Sequence, residues 1–298
     1  MITEVSAPGT LKKVFALYAF AYILALLVAF GVGYLFRGLH PLLMIFLADI
    51  AGTLVIYIFS RVFRNASFYD AYWSIAPLFI SLFWLLRTSF PSGLTVRQVI
   101  VIVLVFFWGL RLTYNWARQW QGLKHEDWRY QDLRKKLPQW FWLIDLVGIE
   151  IMPTIIVFLA CLALYPALAV GINSFGAIDV FAIVITGGAI VVETVADEQL
   201  RRFTKQNLQS GAIMTKGLWE YSRHPNYFGE VTFWWGLFFF GLAADAGYWL
   251  TIIGPVSITI LFLVISIPLM EKRSLARRPG YAETRKKIPV FLPWFPKS

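Results

Sequence analysis

An all-α bundle of transmembrane helices is the fold class that this sequence predicts, and three observations predict it. Of its 298 residues, 58% are hydrophobic and only 15% are charged, against about 25% charged residues in soluble domains. The mean hydropathy is +0.64. The chain also contains repeated apolar runs, and a run of about 20 residues is long enough to cross a bilayer. We therefore expect a multi-pass integral membrane protein.

Eight apolar runs are candidates for membrane spans. The run at residues 72–86 is the weakest, because it is short and contains Pro77, which interrupts helical hydrogen bonding. The sequence therefore predicts about eight spans, or seven without this one. The runs lie at about residues 14–36, 41–59, 72–86, 96–112, 140–165, 178–195, 226–244 and 248–270.

The positions of the basic residues predict the orientation of these spans. Membrane proteins concentrate Lys and Arg in their cytoplasmic loops. With eight spans and both termini in the cytoplasm, only Arg37, Arg87 and Arg97 of the 27 Lys and Arg residues fall outside. We therefore expect both chain termini to be cytoplasmic.

Charge and cysteine content narrow the classes of function. The formal net charge of +10 is explained by cationic cytoplasmic loops, so we expect membrane lipids and no nucleic acid as partners. Cys161 is the single cysteine, which excludes an intramolecular disulfide and a cysteine metal cluster. Three histidines without metal-ligand spacing predict no metal site.

One stretch, residues 217–236, combines several polar side chains with the start of an apolar run. Polar groups in such a position are costly and usually functional. Pro225 favours the first turn of a helix, whose free N–H groups would bind a phosphate or carboxylate. The alternative is an interfacial anchor with side chains at headgroup level. The polar candidates for a cofactor site are Tyr221, Arg223, His224, Asn226, Tyr227 and Glu230.

Two more segments predicted to be cytoplasmic carry polar side chains at helical spacing. In the first, Arg111, Asn115 and Arg118 form one stripe of a helix. An acid, a base and a phenol follow in a short loop as Asp127, Arg129 and Tyr130. These residues are candidates for cofactor binding, and the alternative is a helix end whose cations extend to lipid headgroups.

The second segment ends the sixth predicted span. Glu193, Asp197 and Arg201 share a helix face, where a carboxylate can bind a ribose and Arg201 a phosphate. The alternative is an Asp197–Arg201 ion pair, and both interpretations are compatible. In the C-terminal tail, Lys272 and Arg273 are the nearest candidates for a nucleotide phosphate.

Four motifs resemble a known family. They are Tyr-Ser-Arg-His-Pro-Asn-Tyr-Phe-Gly-Glu at 221–230, Ala-Asp-x-x-Leu at 196–200, Asp-Trp-Arg-Tyr at 127–130 and Pro-Gly-Tyr…Ile-Pro-x-Phe at 279–291. The chain resembles the DUF1295 branch of the steroid 5-alpha-reductase-like membrane proteins over roughly residues 70 to 298. This superfamily includes sterol double-bond reductases, which use NADPH, and isoprenylcysteine carboxyl methyltransferases, which use S-adenosylmethionine.

The resemblance implies roles for particular residues. Reductases carry Gly-Asp or Gly-Glu after the shared core, as Gly229-Glu230 does here. By this resemblance NADPH is the cofactor, with Asn226, Tyr227 and Glu230 at the nicotinamide half. Asp197 and Arg201 would bind the ribose and phosphate part. It also implies a membrane domain at residues 67–298, preceded by N-terminal transmembrane helices at residues 1–66.

The sequence departs from the 5-alpha reductases at the groups that bind a steroid ketone. Trp73 to Ala76 stand before Pro77, where those enzymes have a Gln-Glu pair, and Trp108 stands where they have a tyrosine. Four residues are candidates to replace these groups: Asp70, Tyr69, Tyr72 and Tyr114. The predicted catalytic residues are Glu230, Asp70 and Tyr114. Asp70 and Tyr114 are the candidates for the acid that stabilises an enolate and supplies a proton.

The resulting hypothesis is a membrane reductase of a carbon–carbon double bond in a lipophilic, enone-like substrate that enters from the bilayer. NADPH would bind from the cytoplasmic side. One alternative is a methyltransferase that binds S-adenosylmethionine in the same pocket. The other is a non-enzymatic lipid-binding or transport protein, although transporters keep their polar groups near the midplane.

Overall fold

The structure is a computed structural model that describes residues 8–88, 93–206 and 211–296. Within these ranges all regular secondary structure is helical. The chain divides into two compact units: unit 1 holds Met1–Phe90 with Val105–Leu162, and unit 2 holds Pro91–Leu104 with Ala163–Ser298. The division expected at residue 66 follows a family resemblance and not compactness, and it stays a prediction.

Seven helical segments in the described part of the chain are long and apolar enough to cross a membrane. This confirms the predicted fold class, an all-α transmembrane bundle. The seven segments include the weakest candidate run, residues 72–86. Pro77 does not break this run, because it lies inside a continuous helix. The seven lie in α1 (Pro8–Leu35), α2 (Pro41–Phe63), the segment Ala66–Arg87 that contains most of α3 (Tyr72–Thr88), α4 (Val96–Ala117), α6 (Phe141–Val170), α7 (Ala177–Gln206) and α10 (Ala246–Arg277).

The other helices are shorter or more polar. Helix α5 (Trp128–Lys136) and helix α11 (Tyr281–Lys287) are short and rich in basic residues. Helix α8 (Leu218–Tyr221) is a single turn before α9 (Pro225–Ala244). Helix α9 begins at Pro225, as the sequence predicts.

Helix α9 is a predicted span that is not among the seven. Its 20 residues would extend about 30 Å, enough to cross a bilayer. The polar residues Asn226 and Glu230 and three glycines lower the mean hydropathy of this helix. Thirteen of the 20 residues are buried by protein. Because its surroundings are protein, α9 does not need the apolar surface of a lipid-facing helix.

Unit 1 is built around an aromatic cluster. Tyr18 of α1 stacks on Phe68 at 4.2 Å between ring centroids, and the Tyr22 hydroxyl donates to the Phe68 carbonyl at 2.8 Å. Trp116 and Trp120, near the end of α4, both lie 5.2 Å from the Tyr18 ring. These contacts bring the loop before α3 against α1 and α4, which positions the polar residues that follow.

In unit 2, small residues let α7 and α9 approach closely. A Cβ atom on Gly229 would lie 2.7 Å from the Cβ atom of Glu193, and one on Gly236 would collide with the Thr186 hydroxyl. A side chain at either glycine would force the two helices apart. The close approach puts the acidic face of α7, Glu193 and Asp197, against α9.

A buried ion pair joins the starts of α4 and α7 in unit 2. The Arg97 Nε donates to Asp179 Oδ1 at 2.6 Å, and Arg97 Nη2 donates to Asp179 Oδ2 at 2.8 Å. Arg97 Nη1 donates to the carbonyl of Asn173 at 2.8 Å. Arg97 is 6% exposed and Asp179 1%. Since apolar surroundings do not solvate a lone charge, each partner depends on the other.

We predict that Asp179→Ala lowers the stability of the protein by about 3–5 kcal/mol, because it leaves the Arg97 guanidinium buried without a counter-charge. The measurement is the thermal melting midpoint of the detergent-purified protein. The double variant Arg97→Met, Asp179→Leu is the control, and it should recover most of the loss. Equal midpoints for Asp179→Ala and the unaltered protein would contradict the prediction.

The membrane path of α9 is testable by cysteine labelling, because the single native Cys161 is only 2% exposed. If α9 crosses the bilayer, Lys12→Cys and Lys286→Cys should both be protected from a membrane-impermeant maleimide in intact cells. Both should react after lysis, while Leu39→Cys, in the α1–α2 connection, should react in intact cells. Labelling of only one of the two lysine positions in intact cells would mean that α9 does not cross.

Candidate functional site

The chain that leads into α9 is fixed against the end of α7. Gly217 has a φ of +64°, and a Cβ atom there would lie within 2.4 Å of the Gln199 amide. The Trp219 Nε1 donates to the carbonyl of Ala196 at 3.0 Å, and the Leu218 N–H donates to Gln199 Oε1 at 3.1 Å. These contacts hold the residues before Pro225 in place.

Arg223 binds other parts of the protein. Its Nε and Nη2 donate to the two carboxylate oxygens of Glu271 at 2.9 and 3.1 Å. Its Nη1 donates to the carbonyls of Arg285 and Ile288. A guanidinium with these partners fastens the end of α10 and the tail to the start of α9. The sequence predicted a cofactor contact for Arg223, and the structure gives its hydrogen bonds to protein groups.

Glu271 is the centre of this arrangement, which we call the Glu271 cluster: Arg223, His224, Glu271, Tyr281 and Arg285. His224 Nε2 lies 3.1 Å from Glu271 Oε1, and the Tyr281 hydroxyl donates to the same oxygen at 2.6 Å. Arg285 Nε lies 2.9 Å from Glu271 Oε2. Burial, and then the hydrogen bond to Glu271, raise the pKa of the Tyr281 phenol.

The C-terminal tail extends along the residues before α9. The Arg223 N–H donates to the Pro289 carbonyl at 2.9 Å, and the Trp294 N–H donates to the Tyr221 carbonyl at 2.9 Å. The Tyr221 ring lies 5.9 Å from that of Phe295. Tyr221 therefore helps to anchor the tail, while its own side chain is 37% exposed.

Asn226 and Asp197 form the polar contact between α9 and α7. Asn226 Nδ2 donates to Asp197 Oδ1 at 3.2 Å. Asn226 Oδ1 is buried and accepts no hydrogen bond from the described residues. Tyr227 is stacked on the His224 ring at 5.3 Å and lies 4.8 Å from Phe262 of α10. The first turn of α9 thus presents a buried acceptor whose amide orientation is fixed by a carboxylate.

Two buried carboxyl groups lie deeper along the same pair of helices. Glu230 is 3% exposed, and its Oε1 accepts from Trp234 Nε1 at 2.8 Å. Glu193 is 4% exposed and lies against Gly229 of α9. Asn226, Glu230 and Trp234 are four residues apart and therefore share one face of α9. The hydrogen bond from Trp234 orients the Glu230 carboxyl group on that face.

The predicted phosphate-binding cations are spread over two helix ends. Arg201 Nε donates to Glu198 Oε2 at 2.7 Å, and Arg202 Nε donates to Glu198 Oε1 at 2.8 Å. Lys272 is exposed and Arg273 half-buried in the last turns of α10. Glu198 was not a predicted site residue, although its spacing from Arg201 and Arg202 favours these pairs.

A second polar cluster lies in unit 1, and we call it the Asp70 cluster: Asp70, Asp127, Arg129 and Tyr130. The Tyr130 hydroxyl donates to Asp70 Oδ1 at 2.9 Å. Asp127 caps α5 by accepting from the Arg129 N–H and from Arg129 Nε, both at 2.8 Å. Burial, and then the charge of Asp70, raise the pKa of the Tyr130 phenol.

The predicted stripe at the end of α4, Arg111, Asn115 and Arg118, lies in unit 1. Arg111 and Asn115 are half-buried on this helix. Tyr114 points away from them: its ring is 63% exposed and lies 5.3 Å from the Arg118 guanidinium. Tyr114 is thus on an outward face of α4, while the Asp70 carboxyl is bonded by Tyr130. The phenol that contacts Asp70 is Tyr130, which the sequence predicted for cofactor binding.

The fold and these clusters define a multi-pass membrane protein with polar residues gathered at the ends of its helices. The chain belongs to the DUF1295 family, described as "Protein of unknown function", which matches residues 56–288. That range includes both polar clusters and the Asn226–Asp197 pair.

A fission yeast protein is similar to this chain. The "Uncharacterized protein C594.04c" of Schizosaccharomyces pombe is 28% identical over 259 residues, which cover 77% of this chain and 73% of the relative. No solved structure matches.

We predict that Glu271→Ala destabilises the protein by about 3–5 kcal/mol, because the buried Arg223 would lose its counter-charge. It should also release the tail, and limited proteolysis should cut near residue 290. The control is Glu283→Ala, which removes only the exposed pair with Lys286 and should change little. Equal melting midpoints and equal cleavage in the two variants would contradict a structural role for the Glu271 cluster.

Proposed function

We propose that this protein is a membrane reductase that uses NADPH to reduce a carbon–carbon double bond in a lipophilic substrate. The observation that carries the proposal is the buried acceptor Asn226 Oδ1 at the start of α9. The superfamily resemblance of residues 221–230 supports it, because reductases of that group keep an acidic residue where Glu230 stands. When bound, NADPH supplies a hydride to an electron-poor carbon, and the protein supplies binding and orientation.

The polar groups around Asn226 fit a carboxamide such as that of nicotinamide. A buried acceptor without a donor costs about 1–3 kcal/mol, which a ligand N–H group would recover. Asp197 accepts from Asn226 Nδ2, and this hydrogen bond keeps Asn226 Oδ1 available as an acceptor. Asp197 is therefore a positioning residue for Asn226 in this proposal.

The other predicted residues have indirect or peripheral roles in the proposal. Arg223 and His224 hold the start of α9 through Glu271. Tyr227 adds an aromatic surface beside His224. Arg201, Lys272 and Arg273 supply positive charge at the ends of α7 and α10, which favours binding of phosphate groups.

The reaction also needs an acid, because an enolate formed by hydride addition takes up a proton. Glu230 in unit 2 and Asp70 in unit 1 are the predicted carboxyl groups, and each accepts a hydrogen bond from an aromatic side chain. The Tyr130 hydroxyl donates to Asp70 Oδ1 at 2.9 Å, so this pair carries a proton that general acid catalysis could transfer. We propose Tyr130, and no longer Tyr114, as the phenol of this function.

A lipophilic substrate agrees with an apolar cavity within unit 1. The cavity has a volume of about 1020 Å³ and lies among α1, α2 and α3. Several exposed apolar side chains form its rim, including Leu27, Phe30 and Phe79. Exposed apolar side chains on membrane-spanning helices face lipid, so a substrate would enter from the bilayer.

A methyltransferase is the second candidate, and the buried carboxyl groups Glu193 and Glu230 are the observation that favours it. S-adenosylmethionine carries a sulfonium cation, which buried carboxylates stabilise. The same face of α7 and α9 would then bind this cofactor in place of NADPH. Ligand binding distinguishes the two candidates directly.

We predict that NADPH raises the melting midpoint of the detergent-purified protein more than NADH or S-adenosylmethionine does. A ligand at about 100 times its Kd stabilises the folded state by about 2.7 kcal/mol. Asn226→Ala and Glu230→Gln should reduce the NADPH-induced shift, because they remove the acceptor and the buried carboxyl group one turn below it.

The matched control is Asn173→Ala, which removes an amide whose Nδ2 donates to the Ala243 carbonyl at 3.2 Å. This variant should keep the full NADPH-induced shift even if its own midpoint is lower. Stabilisation by S-adenosylmethionine alone would overturn the reductase proposal. It would support the methyltransferase.

A further inference from the structure

Asp49 is a buried acidic residue in the middle of an apolar helix. It is 7% exposed on α2, among the residues that line the cavity of unit 1. Eight residues separate it from Pro41, so it lies about 12 Å along the helix from the start of α2. The cavity is otherwise lined mainly by apolar and aromatic side chains, among them Leu26, Met44, Ala48, Ala76, Ile80 and Phe83.

The Asp49 carboxyl differs from those of Asp179 and Glu150, two other buried acidic residues of the described chain. Asp179 is paired with Arg97, and Glu150 accepts from the Ser60 hydroxyl at 2.7 Å. The described residues give the Asp49 carboxyl neither a hydrogen bond nor an ion pair. A buried polar group without a partner destabilises a protein and is usually retained for function.

The surroundings of Asp49 favour recognition of a neutral oxygen. In apolar surroundings a neutral carboxyl group costs far less than a carboxylate, and the neutral group donates one hydrogen bond. Tyr72 lines the same cavity, so a second hydroxyl group is near Asp49. Arg37, just before α2, and Arg87, in the last turn of α3, also line the cavity.

We propose that Asp49 is the recognition group of a lipid-binding site and donates a hydrogen bond to a hydroxyl or carbonyl oxygen of the ligand. The ligand is a lipophilic molecule with this oxygen at its inner end. Its apolar body is at least about 12 Å long and extends along the cavity toward Arg37 and Arg87. Leu27 and Phe30 of α1 and Phe79 of α3 line the cavity and are exposed, so the ligand would enter from the bilayer beside these helices.

This inference rests on the proposed function only where it treats the ligand as the substrate. Binding is testable without turnover and without NADPH. Loss of the lipid site would leave the NADPH-induced stabilisation intact. If the protein proves not to be a reductase, lipid binding at Asp49 would still be a function of the protein.

The test uses the full-length protein in phosphatidylcholine nanodiscs and a photoreactive diazirine analogue of hexadecan-1-ol. Competition with hexadecan-1-ol, hexadecylamine and hexadecane separates the three kinds of ligand end. We expect labelling in α1, α2 or α3, with the alcohol competing about 10-fold better than the hydrocarbon, as one buried hydrogen bond allows. Asp49→Leu should reduce this preference to about twofold or less.

The melting midpoint of Asp49→Leu and two further variants, Asp49→Asn and Ala48→Phe, separate loss of binding from loss of folding. Asp49→Leu should raise the melting midpoint, because it replaces an unpartnered polar group with an apolar one. Asp49→Asn should keep part of the preference for alcohol, since an amide still donates. Ala48→Phe should fill the cavity and abolish labelling.

Three results would overturn the inference. The first is equal competition by alcohol and hydrocarbon in the unaltered protein, and the second is an unchanged preference in Asp49→Leu. The third is strongest competition by hexadecylamine, which would make Asp49 a carboxylate that binds a lipophilic cation.

Discussion

The absence of hydrogen-bonding partners in lipid is the constraint on which this structure depends. Backbone groups inside a bilayer must be satisfied within the segment, so every described span is a helix. Buried charges follow the same rule: Arg97 has Asp179, and Arg223 has Glu271. Against this background the exceptions are informative. Asn226 Oδ1 in unit 2 and the Asp49 carboxyl in unit 1 have no hydrogen-bonding partner among the described residues, and we propose that each binds a ligand.

The same constraint explains how α9 can carry Asn226 and Glu230 along an otherwise apolar helix. Contact with α7 at Gly229 and Gly236 shields one face of α9. Glu230 and Asn226 then meet Trp234 and Asp197 and not lipid tails. Close packing by small residues is therefore a condition for the polar site, because a side chain at Gly229 would separate the two helices.

Residues 221–230 combine two physical roles. Arg223 and His224 act through Glu271 and fix the tail and α10 to the start of α9. Asn226 and Glu230 face α7 and form the polar surface that can meet a ligand. A change in the first pair should act mainly on stability and a change in the second mainly on binding. One motif thus serves both the fold and the candidate site.

The sequence by itself determined the helical membrane class, most of the spans and the start of α9 at Pro225, because apolar run length and proline geometry act locally. It also placed Asn226 and Glu230 on one face, since helix periodicity is local too. Tertiary structure alone decided that Arg223 meets Glu271, 48 residues away, that Tyr130 and not Tyr114 contacts Asp70, and that Asp49 lacks a partner. These facts depend on which distant helices pack together, and helix periodicity carries no information about that pairing.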